Sequence, residues 1–222
     1  MLRDIEPLDI VEKVHTSRGE LQLQRRGSDY EVISSGTFLM ATYNGTSERR
    51  MVTRSLQESR GRTILIGGLG TGFSLAEALR HPRVQEAVVV EIEEAVIRWN
   101  ETHLAGGNGY AVHHPKTRMI HADIVPWLHD SQETFDAICL DIDNGPDWTV
   151  TAENADLYER GSLQQLRRRL NPGGVVSFWS AGASPAFVSR LQRVFPQVEV
   201  EEVPVPKGEP DVIFYAWKEA RP

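Results

Sequence analysis

The residues best placed to do chemistry are glycines and acids that follow apolar runs. Ile64-Leu65-Ile66-Gly67-Gly68-Leu69-Gly70-Thr71-Gly72-Phe73 is a strand-like run that breaks into a glycine-rich turn and then opens a helix. Glycines permit positive φ and let a ligand approach the backbone closely, which side chains there would block. The next apolar run, Val88-Val89-Val90-Glu91, ends in an acid 24 positions after Gly67. A carboxylate there can accept hydrogen bonds from both hydroxyls of a ribose held on the loop. Met119-Ile120-His121-Ala122-Asp123 repeats the pattern, and its terminal acid can accept the exocyclic amine of an adenine. Gly67, Gly68, Gly70, Gly72, Glu91, Asp123 and the adjoining Ile124 make up the candidate cofactor-binding set. The turn lacks a basic residue and the Gly-x-x-x-x-Gly-Lys-Ser/Thr pattern, which favours a nucleoside without phosphates.

A fourth run leads into Leu140-Asp141-Ile142-Asp143-Asn144-Gly145-Pro146-Asp147-Trp148, which puts several carboxylates on one loop. Such a group attracts a sulfonium or an ammonium, and an Asp beside an amine can orient it and take its proton. Asp141 and Asp143 are the candidate catalytic residues, whereas Trp148, next to a turn, is expected to pack on the core, with a wall of the pocket as the alternative. No metal is expected, because His113, His114 and His121 come with neither a His-Glu-x-x-His helix nor a Cys/His cluster. Cys139 lies in an apolar run and reads as a small buried thiol.

Alternating strands and helices must carry these loops. From residue 63 the pattern predicts strands over 63–66, 87–92, 118–121, 135–141, 175–179, 198–203 and 212–217. Helices are predicted over 73–80, 94–102, 124–129, 161–170 and 185–194. Asn171-Pro172-Gly173-Gly174 is expected to stop the helix before it. This order predicts an α/β fold: a Rossmann-like, doubly wound, mostly parallel seven-stranded sheet with helices on both faces. Residues 1–60 form a separate expected region, a small antiparallel β meander over 10–15, 21–25, 30–34 and 37–43. A linking helix over 49–59, capped by Ser47 and Glu48, leads into the nucleoside-binding region 61–222.

Charge narrows the partners. The chain has 222 residues with 24 Lys+Arg against 31 Asp+Glu, a formal net charge of −7. Residues 1–60 hold 9 basic and 9 acidic side chains, so the whole acidic excess follows residue 60. That argues against nucleic acid as a partner, and Arg167-Arg168-Arg169 at a helix end reads as a solvated face. No apolar stretch approaches the roughly 18 residues needed to span a bilayer, so no membrane is expected and a cytoplasmic location is. Exposed edges on the meander favour pairing with a second copy, a homodimer.

These motifs together resemble the spermidine synthase (aminopropyltransferase) family, a branch of the S-adenosylmethionine-dependent methyltransferase fold. The resemblance rests on the glycine loop from Ile66 to Gly72, Val90-Glu91-Ile92-Glu93, His121-Ala122-Asp123, and Leu140-Asp141 before Gly145-Pro146. It implies that Glu91 holds the ribose, Asp123 the adenine, and that Asp141 activates the attacking amine. Gly70 stands where the family loop carries an Asp, and Asp143 is the nearest substitute for a second family acid. Tyr43 to Arg50 matches the family's polyamine-contacting stretch only loosely. The expected activity is transfer of an aminopropyl or other alkyl group to a small-molecule amine acceptor. The co-substrate is S-adenosylmethionine or its decarboxylated form. A small-molecule methyltransferase and a non-catalytic nucleoside-binding regulator are the alternatives. A nicotinamide-dependent dehydrogenase is disfavoured by the missing second mononucleotide-binding half.

Overall fold

The computed structural model describes residues 7–142, 144–149, 153–206 and 208–220. Four short strands, β1 (Leu8–Thr16), β2 (Gly19–Arg26), β3 (Asp29–Ser34) and β4 (Thr37–Ala41), pair in sequence order as an antiparallel meander. The meander turns fall at the Gly19, Gly27 and Gly36 positions, all with positive φ.

Helix α1 (Thr46–Gln57) leads out of the meander. It begins three residues before the predicted start, and Gly45 rather than a side chain occupies the cap. The Ser47 hydroxyl is used elsewhere, against Asp211. Beyond it lie β5 (Thr63–Gly67), α2 (Phe73–Arg80), β6 (Glu86–Glu91), α3 (Glu94–Glu101), α4 (Ala105–Asn108), β7 (Thr117–His121), α5 (Ile124–Asp130) and β8 (Phe135–Leu140). The chain closes with α6 (Arg160–Arg169), β9 (Leu170–Ser180), α7 (Pro185–Gln192), β10 (Gln197–Val203) and β11 (Asp211–Trp217).

The seven-stranded sheet has the order β10-β11-β9-β8-β5-β6-β7. β7, β6, β5, β8 and β9 run parallel, and β11 and β10 close the edge antiparallel. The doubly wound sheet expected from the sequence is therefore present. All six residues of β8 and four of the five in β5 are buried, as strands covered on both faces require. The chain leaves β5 toward β6 and β7, then returns to lay β8 on the other flank of β5. The carboxyl edge there is a topological switch point, where open sheets hold ligands.

One prediction needs correcting at β9. Asn171-Pro172-Gly173-Gly174 does not separate helix from strand, because the strand already begins at Leu170. Leu170 pairs with Phe135 and Val175 with Ala137, so the four residues between them bulge opposite Asp136. Asn171 Nδ2 donates to Asp136 Oδ1 at 2.9 Å, and the other carboxylate oxygen accepts the Arg62 backbone N–H at 2.8 Å.

The core lies on both faces of the large sheet. Leu21, Leu23 and Val32 of the meander join the cluster that contains Val96, Trp99 and Leu104. Glu12 of β1 accepts hydrogen bonds from Arg98 and from the Trp99 indole, fixing the meander onto α3. Among the described residues, no helix is long and apolar enough to cross a membrane.

Candidate active site

The glycine turn closes tightly around its neighbours. Gly68 and Gly72 both have φ of +85°. A Cβ on Gly68 would stand 2.1 Å from the Asp141 carbonyl oxygen, and one on Gly72 would stand 2.5 Å from Asn108 Nδ2. Those two positions therefore exclude side chains on conformational and steric grounds. Gly67 packs against Leu140 and Ile124, and Gly70 lies beneath Met40 of β4. Two buried asparagines hold the turn from behind. Asn100 Nδ2 donates to the Gly70 carbonyl at 2.9 Å, and Asn108 Nδ2 donates to Asn100 Oδ1 at 2.7 Å.

Glu91 ends β6 beside this turn and is 7% exposed. Its Oε2 accepts the Leu69 backbone N–H and its Oε1 the Glu93 backbone N–H, each at 2.8 Å. Burial raises its pKa, and the backbone donors oppose that shift only in part. Each oxygen keeps a further lone pair for a ligand hydroxyl. Asp123 both caps α5, accepting the Val125 N–H at 2.9 Å, and lines the cavity described next.

Gly68 to Thr71 of the turn line one cavity of about 340 Å³ at the switch point together with Glu91, Asp123, Ile124 and Asp141, whereas Gly67 and Gly72 shape the turn without being among its lining residues. That volume suits a nucleoside-sized ligand. The opposite wall comes from the meander, through Leu21, Phe38 and Met40. Arg18 reaches in from the first hairpin, donating to Glu93 at 2.9 Å and to the Ile92 carbonyl at 3.0 Å. Asp141 is anchored by its backbone N–H, which donates to the Gly67 carbonyl at 2.9 Å. Asp143 lies outside the described residues.

Three lining residues had no signal in the sequence reading: Asp211, Trp179 and Arg18. Glu48 had been read as part of a helix start and of the stretch Tyr43 to Arg50 that loosely matches the family's polyamine-contacting run. Asp211 opens β11, Trp179 lies near the end of β9, and Glu48 sits on the first turn of α1, so only the folded sheet brings them together. Burial raises the pKa of both acids, Glu48 and Asp211.

Other expectations fare differently. Trp148 does not pack on the core, being 63% exposed. Arg169 is not on a solvated face. It is buried, donating to the Leu128 carbonyl and to Gln132. Cys139 is buried as expected, and burial pushes its thiol up to about 11, too high for a nucleophile at neutral pH. Among the described residues, no group of three His, Cys, Asp or Glu side chains is arranged to hold a metal.

The chain is similar to known proteins. A polyamine aminopropyltransferase of Mycobacterium tuberculosis (strain CDC 1551 / Oshkosh) is 27% identical over 165 residues, covering 73% of this chain and 31% of that protein. A spermidine synthase of Schizosaccharomyces pombe is 31% identical over 155 residues, covering 65% of this chain and 48% of that protein. The chain thus spans roughly a third to a half of the length of these curated relatives. A spermidine synthase solved in complex with the transition-state analogue AdoDATO superposes with a TM-score of 0.79 at 17% identity. That match covers 94% of this chain and 73% of the solved one, and establishes a common fold. The model of the spermine/spermidine synthase domain matches residues 48–222, from the first turn of α1 to the last residue, and the chain belongs to that family.

Proposed function

We propose that the cavity binds decarboxylated S-adenosylmethionine and that the chain transfers its aminopropyl group to a small-molecule amine. The observation that carries this reading is the charge of the lining. Among the described lining residues stand six carboxylates, Glu48, Glu91, Glu93, Asp123, Asp141 and Asp211, and one cation, Arg18, already paired with Glu93. A ligand with its own carboxylate would meet like charge there, whereas a cationic ligand without one is favoured. It supports the decarboxylated form over S-adenosylmethionine, the two forms of the co-substrate that the sequence left open.

The residues divide by task. The glycine turn supplies the close approach, Glu91 accepts the ribose hydroxyls, and Asp123 Oδ2 accepts the adenine amine while Oδ1 keeps the helix cap. The sulfonium of the co-substrate supplies an already activated leaving group. Asp141 orients the acceptor amine and takes its proton as nitrogen bonds to the methylene and the carbon–sulfur bond breaks, leaving methylthioadenosine. Asp143, on the same loop, is the second proposed acid. The outer strands of the meander, β1 and β4, carry exposed Leu8, Ile10 and Phe38, which supports pairing of two copies along that sheet.

Thermal-shift ranking tests the ligand. Decarboxylated S-adenosylmethionine and methylthioadenosine are expected to stabilise more than S-adenosylmethionine or S-adenosylhomocysteine. A larger shift with NAD than with any thioadenosine overturns the reading. Formation of methylthioadenosine in the presence of 1,4-diaminobutane tests the transfer itself. Gel filtration at micromolar concentration tests the homodimer.

A further inference from the structure

Two acids in the cavity are not used by the nucleoside. Glu48 is half-buried and Asp211 is 7% exposed, yet neither has an ion-pair partner among the described residues. The nearest cation in sequence, Arg49, acts on Glu48 through its charge but forms no ion pair with it. Its guanidinium donates to the Gly45 carbonyl at 3.1 Å and lies 3.9 Å over the Phe73 ring. A buried carboxylate that faces a cavity with no cation in ion-pair contact is costly unless something neutralises it.

The neutralising group in the empty cavity follows from counting protons. The Ser47 hydroxyl, fully buried, lies 2.6 Å from Asp211 Oδ2 and 3.0 Å from Glu48 Oε2. It also accepts the Trp179 indole N–H at 2.9 Å. A hydroxyl has one proton to give. Ser47 therefore donates to one carboxylate, and its contact with the other is a hydrogen bond only if that carboxyl carries a proton. Trp179 also acts as a hydrogen-bond donor toward Asp211, and the Glu48 backbone N–H toward its own carboxylate, but with no proton on the pair one of the two Ser47 contacts is left without a hydrogen between its oxygens.

We propose that Glu48 and Asp211 form a one-proton clamp for a primary alkylammonium group, exchanging the proton they share across Ser47 for the cation of the ligand. The clamp rests on the reading of the cavity as an amine-transfer site, and it makes Glu48 and Asp211 specificity-determining residues. Ammonium geometry suits it, because three N–H donors can satisfy both carboxylates at once. Arg49 on α1 acts on Glu48 through its charge and Trp179 on β9 hydrogen-bonds toward Asp211, while Ser74 on α2 and Asp141 after β8 line the same cavity. Glu91, Glu93, Asp123 and Arg18 line the remainder of the cavity.

Titration calorimetry in buffers of different ionisation enthalpy, between about pH 5 and pH 8, counts the proton. Methylthioadenosine, which has no amine, is expected to bind without clamp-linked release. Either decarboxylated S-adenosylmethionine, or 1,4-diaminobutane added to the methylthioadenosine complex, is expected to release about one proton per ligand at the acid end, with release shrinking as pH rises. Release with the first assigns the cation to the donor, and release with the second assigns it to the acceptor. Glu48→Gln and Asp211→Asn each leave a single carboxylate. Both should abolish the release and weaken the amine ligand about tenfold or more, with methylthioadenosine affinity held within about twofold. Release in neither titration, release that persists in both variants, or unchanged amine affinity overturns the clamp. A wild-type protein that does not bind methylthioadenosine overturns the nucleoside reading instead, and 1,4-diaminobutane titrated alone then judges the clamp. If Asp211→Asn does not fold, Glu48→Gln, on the more exposed partner, gives the same readout.

Discussion

Glu91 Oε2 accepts the backbone N–H of Leu69, the residue at the middle of the glycine turn, at 2.8 Å. The acid at the end of one strand thus fixes the turn that follows its neighbour. Glu91→Gln keeps the shape but replaces one acceptor oxygen by a donor that faces a backbone N–H. Affinity for methylthioadenosine should fall by roughly one to two powers of ten, about 1.5–3 kcal/mol for bonds to a charged group. Calorimetry that shows unchanged affinity removes Glu91 from the ribose.

The asparagines behind the turn are expected to act on both stability and binding. Asn108→Ala removes donors to Asn100 and Thr71 and the acceptor of the Ala111 N–H, which leaves buried groups unsatisfied. The cost should be about 1–3 kcal/mol, read as a lower Tm together with weaker nucleoside binding. Gly72→Ala should be at least as damaging, since φ of +85° and a 2.5 Å contact with Asn108 act together. A Tm equal to wild type for Gly72→Ala would mean the turn relaxes freely.

Asp141→Asn separates binding from proton transfer. Its backbone N–H holds the Gly67 carbonyl whatever the side chain, so the turn should survive the exchange. Turnover should drop about a hundredfold or more while methylthioadenosine affinity changes little. Turnover equal to wild type withdraws the side chain from the role of base.

Stability of the ligand-free protein should depend on pH in a defined direction. Burial holds Glu91, Glu48 and Asp211 above their unfolded pKa values, so the folded state binds more protons than the unfolded chain. Their contribution is full below the ordinary carboxylate range and is lost as pH rises through the raised folded values. The Tm should therefore decline across that window, less steeply in Asp211→Asn than in wild type. A Tm that rises there, or the same slope in both proteins, contradicts the assignment.

How much of this was readable from the sequence depends on how local each signal is. The glycine turn, Glu91 and Asp123 each follow or end an apolar run, so a strand period and one acid marked them as candidates, and Gly68, Gly70, Glu91 and Asp123 line one cavity. The parallel sheet was legible for the same reason. The start of β9 was not, because Asn171-Pro172-Gly173-Gly174 has the local chemistry of a stop and only Asp136 on a neighbouring strand turns it into a bulge. Nor was the contact of Ser47 with Asp211, separated by 164 positions and joined only when α1 settles beside β11. Trp148 was misread because a turn beside an aromatic does not say which side of the loop faces the core.

One wall of the cavity belongs to the meander, through Leu21, Phe38 and Met40, and the other to the carboxyl edge of the large sheet. A ligand that fills the space is therefore a non-covalent staple between two sheets that share few backbone hydrogen bonds. Saturating methylthioadenosine should slow amide exchange along β2 and β4, far from the nucleoside turn in sequence, by an amount set by ligand concentration over Kd. Exchange that slows only in the large sheet would place the nucleoside wholly on that side.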